Sequence, residues 1–256
     1  MKILTLNINS IRAHVESFID ILRAGEYDTI MVQELKVESA GFPHNLFDEY
    51  GYNIKVFGQK SWNGVATFSK YSIEDVTMGM PNYSDVNARF LECVVDGRVR
   101  LINVYMPNGD TIDSPKFPYK MEWLAAFTKY IEQYLHSPEP VIIGGDFNIA
   151  LTDRDVWKPA NYVNIAIAAP AARAVMQSWI DAGWSDVWRT MHPDEIAYTW
   201  FGYRGGDTVG KNMGLRLDYF LANPTAMQMI KNCEIDISAR LAAKPTDHCG
   251  LMLTIK

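Results

Sequence analysis

Short apolar runs of strand length recur along this chain, and near its start they are separated by a segment of helical period. Thr29-Ile30-Met31-Val32-Gln33 and Val141-Ile142-Ile143 read as buried strands. Lys2 to Ile8, Asn53 to Phe57, Gly64 to Ser69, Arg89 to Val95 and Val99 to Met106 read as further strands. Asp96-Gly97 joins the last two as a hairpin turn, because glycine accepts the positive φ of a type I′ turn. Between the first two strands, Ile11, Val15, Phe18, Ile19 and Leu22 recur at helical spacing, with Ser10 as N-cap and Gly25 as the stop. Helices are predicted over Tyr119 to Leu135 and Ala171 to Ala182, and tail strands near Leu215 to Leu221, Glu234 to Ser238 and Leu251 to Ile255. This order predicts one α/β domain over residues 1–256, with two packed sheets and helices outside.

Composition narrows the function. The chain is 48% hydrophobic, which excludes disorder and supplies one sizeable core. No run approaches the ~18 apolar residues of a membrane span, so no membrane partner is expected. Cys93, Cys233 and Cys249 match no metal or disulfide spacing, and the first residues lack a signal peptide's apolar stretch. A reduced, cytoplasmic setting is the default, with a monomer as the expected state. The net charge of −6 means that nucleic acid would have to meet a local basic patch. The Gly-rich stretch Gly202 to Gly214 reads as a functional loop between strands.

Polar clusters follow several of the apolar runs: Asn7-Ile8-Asn9, Gln33-Glu34, Asp146-Phe147-Asn148 after Gly144-Gly145, and Asp247-His248. Asp218 lies inside the apolar run Leu215-Arg216-Leu217-Asp218-Tyr219. Strand ends hold ligand-binding groups rigidly beside a crevice. Carboxylates there are costly unless compensated, and a hard divalent cation suits oxygen donors such as Glu34, Asp146, Asn7 and Asn148. Setting aside Glu34, Asp146, Asp218 and Asp247 leaves 26 acids against 24 bases, so most of the excess acidity could belong to a site. Each cluster alone has a plainer reading: a solvated loop start for Glu34, an Asx turn for Asp146 and Asn148, a surface pair for Asp247-His248. It is their joint occurrence that points to a site.

Six blocks in order (Asn7-Ile8-Asn9, Gln33-Glu34, Tyr105-Met106-Pro107-Asn108, Gly145-Asp146-Phe147-Asn148, Leu215-Arg216-Leu217-Asp218-Tyr219 and Asp247-His248) resemble the exonuclease III family of AP endonucleases. That family sits within the endonuclease/exonuclease/phosphatase superfamily, similar in fold to DNase I. The resemblance runs from Asn7 to His248 and implies a four-layer α/β/β/α sandwich of two mixed β-sheets flanked by helices. It also implies a metal-dependent phosphodiesterase acting on double-stranded DNA, 5′ to abasic sites or at blocked 3′ ends.

Carried over by position, the resemblance gives Glu34, Asn7 and Asp247 to Mg²⁺ or Mn²⁺. It makes Asp146 beside Asn148 the group that orients water, and His248 oriented by Asp218 a phosphate ligand or base. Tyr105 faces the phosphate or the leaving oxygen. Either Asp146 or His248 could take the proton. Trp200, Phe201, Met213 and Leu215 would form an apolar pocket for an extruded baseless sugar, a nucleotide that is cheap to flip. Asn63, Arg89 and Arg216, with Lys60, Arg204 and Lys211, are candidate substrate contacts. Two departures from the family pattern stand out: Asp110 replaces a basic residue of some relatives, and Ala166 to Arg173 lacks a polar helix start. The rival readings are a superfamily phosphatase or phospholipase acting on a small phosphoester, and a non-catalytic nucleic-acid-binding module.

Overall fold

The computed structural model describes residues 1–256. In chain order the strands are β1 (Lys2–Asn7), β2 (Thr29–Gln33), β3 (Asn53–Phe57), β4 (Val65–Ser69), β5 (Ile73–Met78) and β6 (Phe90–Val95). They continue with β7 (Val99–Tyr105), β8 (Val141–Asp146), β9 (Ser185–Asp186), β10 (Asp218–Ala222), β11 (Ile230–Asp236) and β12 (Gly250–Ile255). The main helices are α1 (Val15–Ala24), α2 (Lys116–Leu135), α3 (Pro170–Ala182) and the short α4 (Val187–Met191). Two six-stranded sheets result, in the orders β11-β12-β1-β2-β4-β3 and β5-β6-β7-β8-β10-β9. Both are mixed: β1 is parallel to β2 and β7 to β8, and the other pairs are antiparallel.

The period-two pattern of each strand sorts its side chains into layers. Ile3, Met31, Leu101, Ile142 and Phe220 point into the space between the sheets. Their neighbours Leu4, Ile30 and Val32 pack under α1 with Phe18 and Leu22. On the far side Ile102, Val141, Ile143, Tyr219 and Leu221 pack under α2 and α3. The result is the predicted α/β/β/α sandwich. Both faces of each sheet are covered, which is why the strands read as unbroken apolar runs. No helix is long and apolar enough to cross a membrane.

The Asp96-Gly97 hairpin forms as read, with φ of 58° at both residues. Gly25 ends α1 at φ 64°. The start of α1 differs from its sequence reading. Asn9 and Ser10 have positive φ, and the Ser10 and Ile11 N–H groups bond Glu34 and Leu35 carbonyls. This ties residues 8–11 to the exit of β2 and delays the helix to Val15. Residues 215–217 stop short of β10: Leu215 instead bridges Val156 and Trp200. The tail strand read at 234–238 runs from Ile230 to Asp236, because Ser238 enters a helical turn. The edge strand β5 went unread because its mixed polar sequence, IEDVTM, breaks register against β6.

Candidate active site

The ends of β1, β2, β7 and β8, the two parallel strands of each sheet, open on the same side of the sandwich. Gly145 makes this possible in β8. Its φ is 146°, and a Cβ there would lie 1.9 Å from the Val104 carbonyl oxygen, so only glycine lets β8 run this close to β7. The following residue, Asp146, is buried, and its Oδ1 accepts the Asn148 N–H at 2.9 Å. Asn7, ending β1, donates its amide to Glu34 Oε1 at 2.8 Å and to Asp146 Oδ2 at 2.9 Å. One side chain thus joins a carboxylate from each sheet.

His248 completes the centre. Its Nδ1 lies 2.8 Å from Asp218 Oδ2, and its Nε2 lies 3.7 Å from Asp146 Oδ2. Asp218 is fixed from behind: Thr199 Oγ1 accepts the N–H groups of Leu217 and Asp218, each at 3.0 Å. Burial raises Asp146 to about 7, reinforced by Asp218 and Glu34 and opposed by the charge of His248. Burial works against a charged His248, but Asp218 and Asp146 outweigh it and raise the imidazole to about 10. Tyr105 lies beside these acids, and burial, then Glu34 and Asp146, lift its phenol well above its ordinary value.

Positive φ values cluster in the same turns, at Asn9, Ser10, Glu34, Lys36 and Asn148. Non-glycine residues in this region store strain of about 1–3 kcal/mol each and concentrate at functional sites.

Of the substrate contacts anticipated from sequence, some reach the rim and some do not. Arg89 lies over the Tyr105 ring at 4.9 Å and bonds the Tyr105 carbonyl. Asn63 is buried and ties Gln59 to Asn87, bracing a rim loop. Trp200 donates Nε1 to Asp247 Oδ2 at 3.0 Å, and Asn9 donates to Asp247 Oδ1 at 2.9 Å. Met213 is half-buried, whereas Phe201 and Leu215 are buried in small apolar clusters. Those two pack core rather than face a sugar. Arg216 needs a correction too: it is fully buried, bonded to Asp155 Oδ1 at 2.7 Å and to Asp186, and cannot reach a DNA phosphate. Its charge is spent on neutralising two interior acids.

The structure adds Lys36, which the sequence reading passed over, and gives Asn108 a partner. Lys36 places Nζ 3.0 Å from Glu34 Oε2 and also bonds Asn9. Asn108 Nδ2 donates to Asn148 Oδ1 at 2.9 Å. A cation two residues after Glu34 was the available signal for Lys36. Asp110 is exposed and paired with Lys116 at 3.5 Å. As its sequence suggests, α3 begins without a side-chain cap.

A model of the endonuclease/exonuclease/phosphatase family matches residues 4–248, a span that holds every group described above. The chain belongs to that family. Among family relatives, exodeoxyribonuclease III of Haemophilus influenzae is 28% identical, with both chains covered in full. An AP endonuclease structure from Archaeoglobus fulgidus superposes with a TM-score of 0.95 at 34% identity, covering 100% of this chain and 99% of that one. A 3′ phosphatase from Neisseria bound to a product DNA hairpin superposes with a TM-score of 0.94 at 33% identity, again covering 100% and 99%.

Proposed function

We propose that this chain is a DNA-repair phosphodiesterase that hydrolyses the backbone of duplex DNA 5′ to abasic sites and trims blocked 3′ ends. The observation that carries this reading is the position of Asp146. Its Oδ2 is joined through Asn7 to Glu34 and lies 3.7 Å from His248 Nε2, so a carboxylate base and an imidazole donor stand side by side at the strand ends.

In this mechanism Asp146 orients a water molecule and takes its proton as the water oxygen bonds phosphorus and the P–O3′ bond breaks. Burial, which raises this carboxyl above its ordinary value, makes it a stronger base for that task. His248, kept protonated by Asp218, donates from Nε2 to a non-bridging phosphate oxygen, where charge grows in the transition state. Tyr105, kept protonated, donates to the phosphate or to the departing 3′ oxygen. Arg89 and Lys36 add positive charge at the rim of an acidic chain.

Oxygen donors fit a hard divalent cation here, and Glu34 is the half-buried carboxylate at the mouth, with Asp247 held nearby by Asn9 and Trp200. Such a donor set would take Mg²⁺ or Mn²⁺ through one or two carboxylates together with substrate phosphate and water. When bound, the cation polarises a phosphate oxygen and stabilises charge on the leaving group. The whole chain, 1–256, acts as one domain and as a monomer in the cytoplasm, with no membrane partner.

The test compares three duplexes in Mg²⁺: one tetrahydrofuran abasic analogue, a recessed 3′ end and a 3′-phosphate end. Incision at the analogue supports the reading, and intact strands with abundant enzyme on all three overturn it. Asp110 is exposed and paired with Lys116 at 3.5 Å, so its charge is partly offset and does not by itself favour abasic incision or the 3′-end reactions. The ratio of the three rates decides between them.

A further inference from the structure

The buried face of α2 carries one charged residue. Lys120 sits with Trp123, Leu124 and Phe127 on the face turned to the sheet, with no exposure at all. An ammonium there costs several kcal/mol unless it is compensated, and burial pushes Lys120 down to about 7. Its partners explain its presence. Nζ donates to the Asn148 carbonyl at 2.6 Å and to the Asn108 carbonyl at 3.2 Å, and neither carbonyl has another protein donor.

Those carbonyls belong to the turns that leave β8 and β7, directly after the strand-end residues Asp146 and Tyr105. Asn148 sits at φ 50° with its N–H on Asp146 Oδ1, its Oδ1 receiving Asn108 Nδ2 and its own amide donating to the Met106 carbonyl. The lysine stem also fills the space below the turn. A Cβ on Gly109, at φ 84°, would lie 2.7 Å from Lys120 Cδ and 2.8 Å from Ala166 Cβ. Both a neutral and a charged amine can donate these two bonds, so the clamp survives either protonation state.

We propose that Lys120 is a positioning residue for phosphodiester hydrolysis: by clamping the Asn108 and Asn148 carbonyls from below, it fixes the left-handed turn that aims Asp146. With no exposure, it acts from beneath the site through these two carbonyls. The inference rests on the nuclease reading above. Its effect falls on kcat, because a base displaced by about 1 Å costs on the order of 10²-fold while substrate contacts at the rim are untouched.

The experiment uses Lys120→Met, which keeps the stem and removes the donor. Its steady-state cleavage of abasic and recessed-end duplexes is measured beside hydrogen exchange of the intact protein. Expected are a 10- to 100-fold fall in kcat, KM within threefold, at least tenfold faster exchange over residues 147–150, and unchanged exchange over Leu101–Val104. Turnover of the unsubstituted protein on the same duplexes tests the nuclease reading itself, so the two failures are separable. Without such turnover the exchange result alone judges the clamp. A folded Lys120→Met with kcat within threefold, or with its loss in KM, overturns the proposal, as does faster exchange spread over the whole sheet. If Lys120→Met does not fold, Lys120→Gln, whose side chain is one bond shorter and stops its amide N–H groups short of the two carbonyls, is judged by the same criteria. If neither folds, Lys120 is a folding residue and the proposal is wrong.

Discussion

His248 presents Nδ1 to Asp218 at 2.8 Å, and this contact turns its Nε2 toward Asp146, 3.7 Å from Oδ2. A carboxylate only accepts, so Nδ1 carries the proton and the free edge of the ring faces the site. The arrangement has the logic of a catalytic triad, in which a buried acid orients a histidine, but here the ring faces a second acid.

Asp218→Asn removes the charge that keeps His248 protonated. The expected outcome is a fall in kcat of about 10–10²-fold, with DNA affinity within threefold. Steady-state kinetics and fluorescence anisotropy with a labelled duplex check the two halves. Equal losses in both would contradict the assigned role.

Asp146→Asn leaves the bond from Asn148 N–H its acceptor but removes the base. Turnover should fall by about 10²–10⁴-fold while binding holds, because the lost interaction arises in the transition state. Single-turnover rates on an abasic duplex against binding isotherms in Ca²⁺ provide the comparison.

EDTA should abolish cleavage, and added Mg²⁺ should restore it. Glu34→Gln keeps the Asn7 contact but weakens the donor set, so its Mg²⁺ titration should shift to at least tenfold higher concentration. Cleavage that persists in EDTA would remove the metal from this account.

Arg216→Met leaves Asp186 buried without its cation and Asp155 with Arg189 alone, 3.0 Å away. Such uncompensated buried charge costs about 3–5 kcal/mol, read as a lower urea midpoint, and the salt dependence of DNA binding should not change. A flattened salt slope would return Arg216 to the DNA interface.

Asp155 also gives a pH dependence of known sign. Burial works to raise its carboxyl, but Arg216 outweighs this and holds it below its ordinary value. Because the folded value is depressed, the stabilisation is present above the unfolded value of about 4 and is lost as pH falls through the folded one. The stability gap between the unsubstituted protein and Asp155→Asn should therefore narrow below about pH 4 in urea titrations. A gap that is constant with pH would contradict the ion pair.

Much of the site was legible because its residues are held by local rules. Asn7, Glu34 and Asp146 each sit at the last or next residue of a strand whose apolar run is plain in the sequence, and the Asp96-Gly97 turn follows from φ preference alone. Arg216 and Leu215 were misread for the opposite reason. Nothing within their own segment shows that Asp155 and Asp186, from distant parts of the chain, close over the guanidinium, or that Val156 and Trp200 cover the leucine. Lys120 escaped notice because a lysine on an amphipathic helix normally marks the wet face.

The sequence by itself determined most of the strands, the three long helices and the identity of the acids and imidazole, since these depend on period, turn chemistry and residue type within a few neighbours. Only the tertiary structure decided which charges meet. Asn7 reaches Asp146, and His248 reaches Asp218, because β1 and β8 belong to different sheets whose packed faces bring their ends together, and electrostatics at 3 Å is set by that distance rather than by separation along the chain.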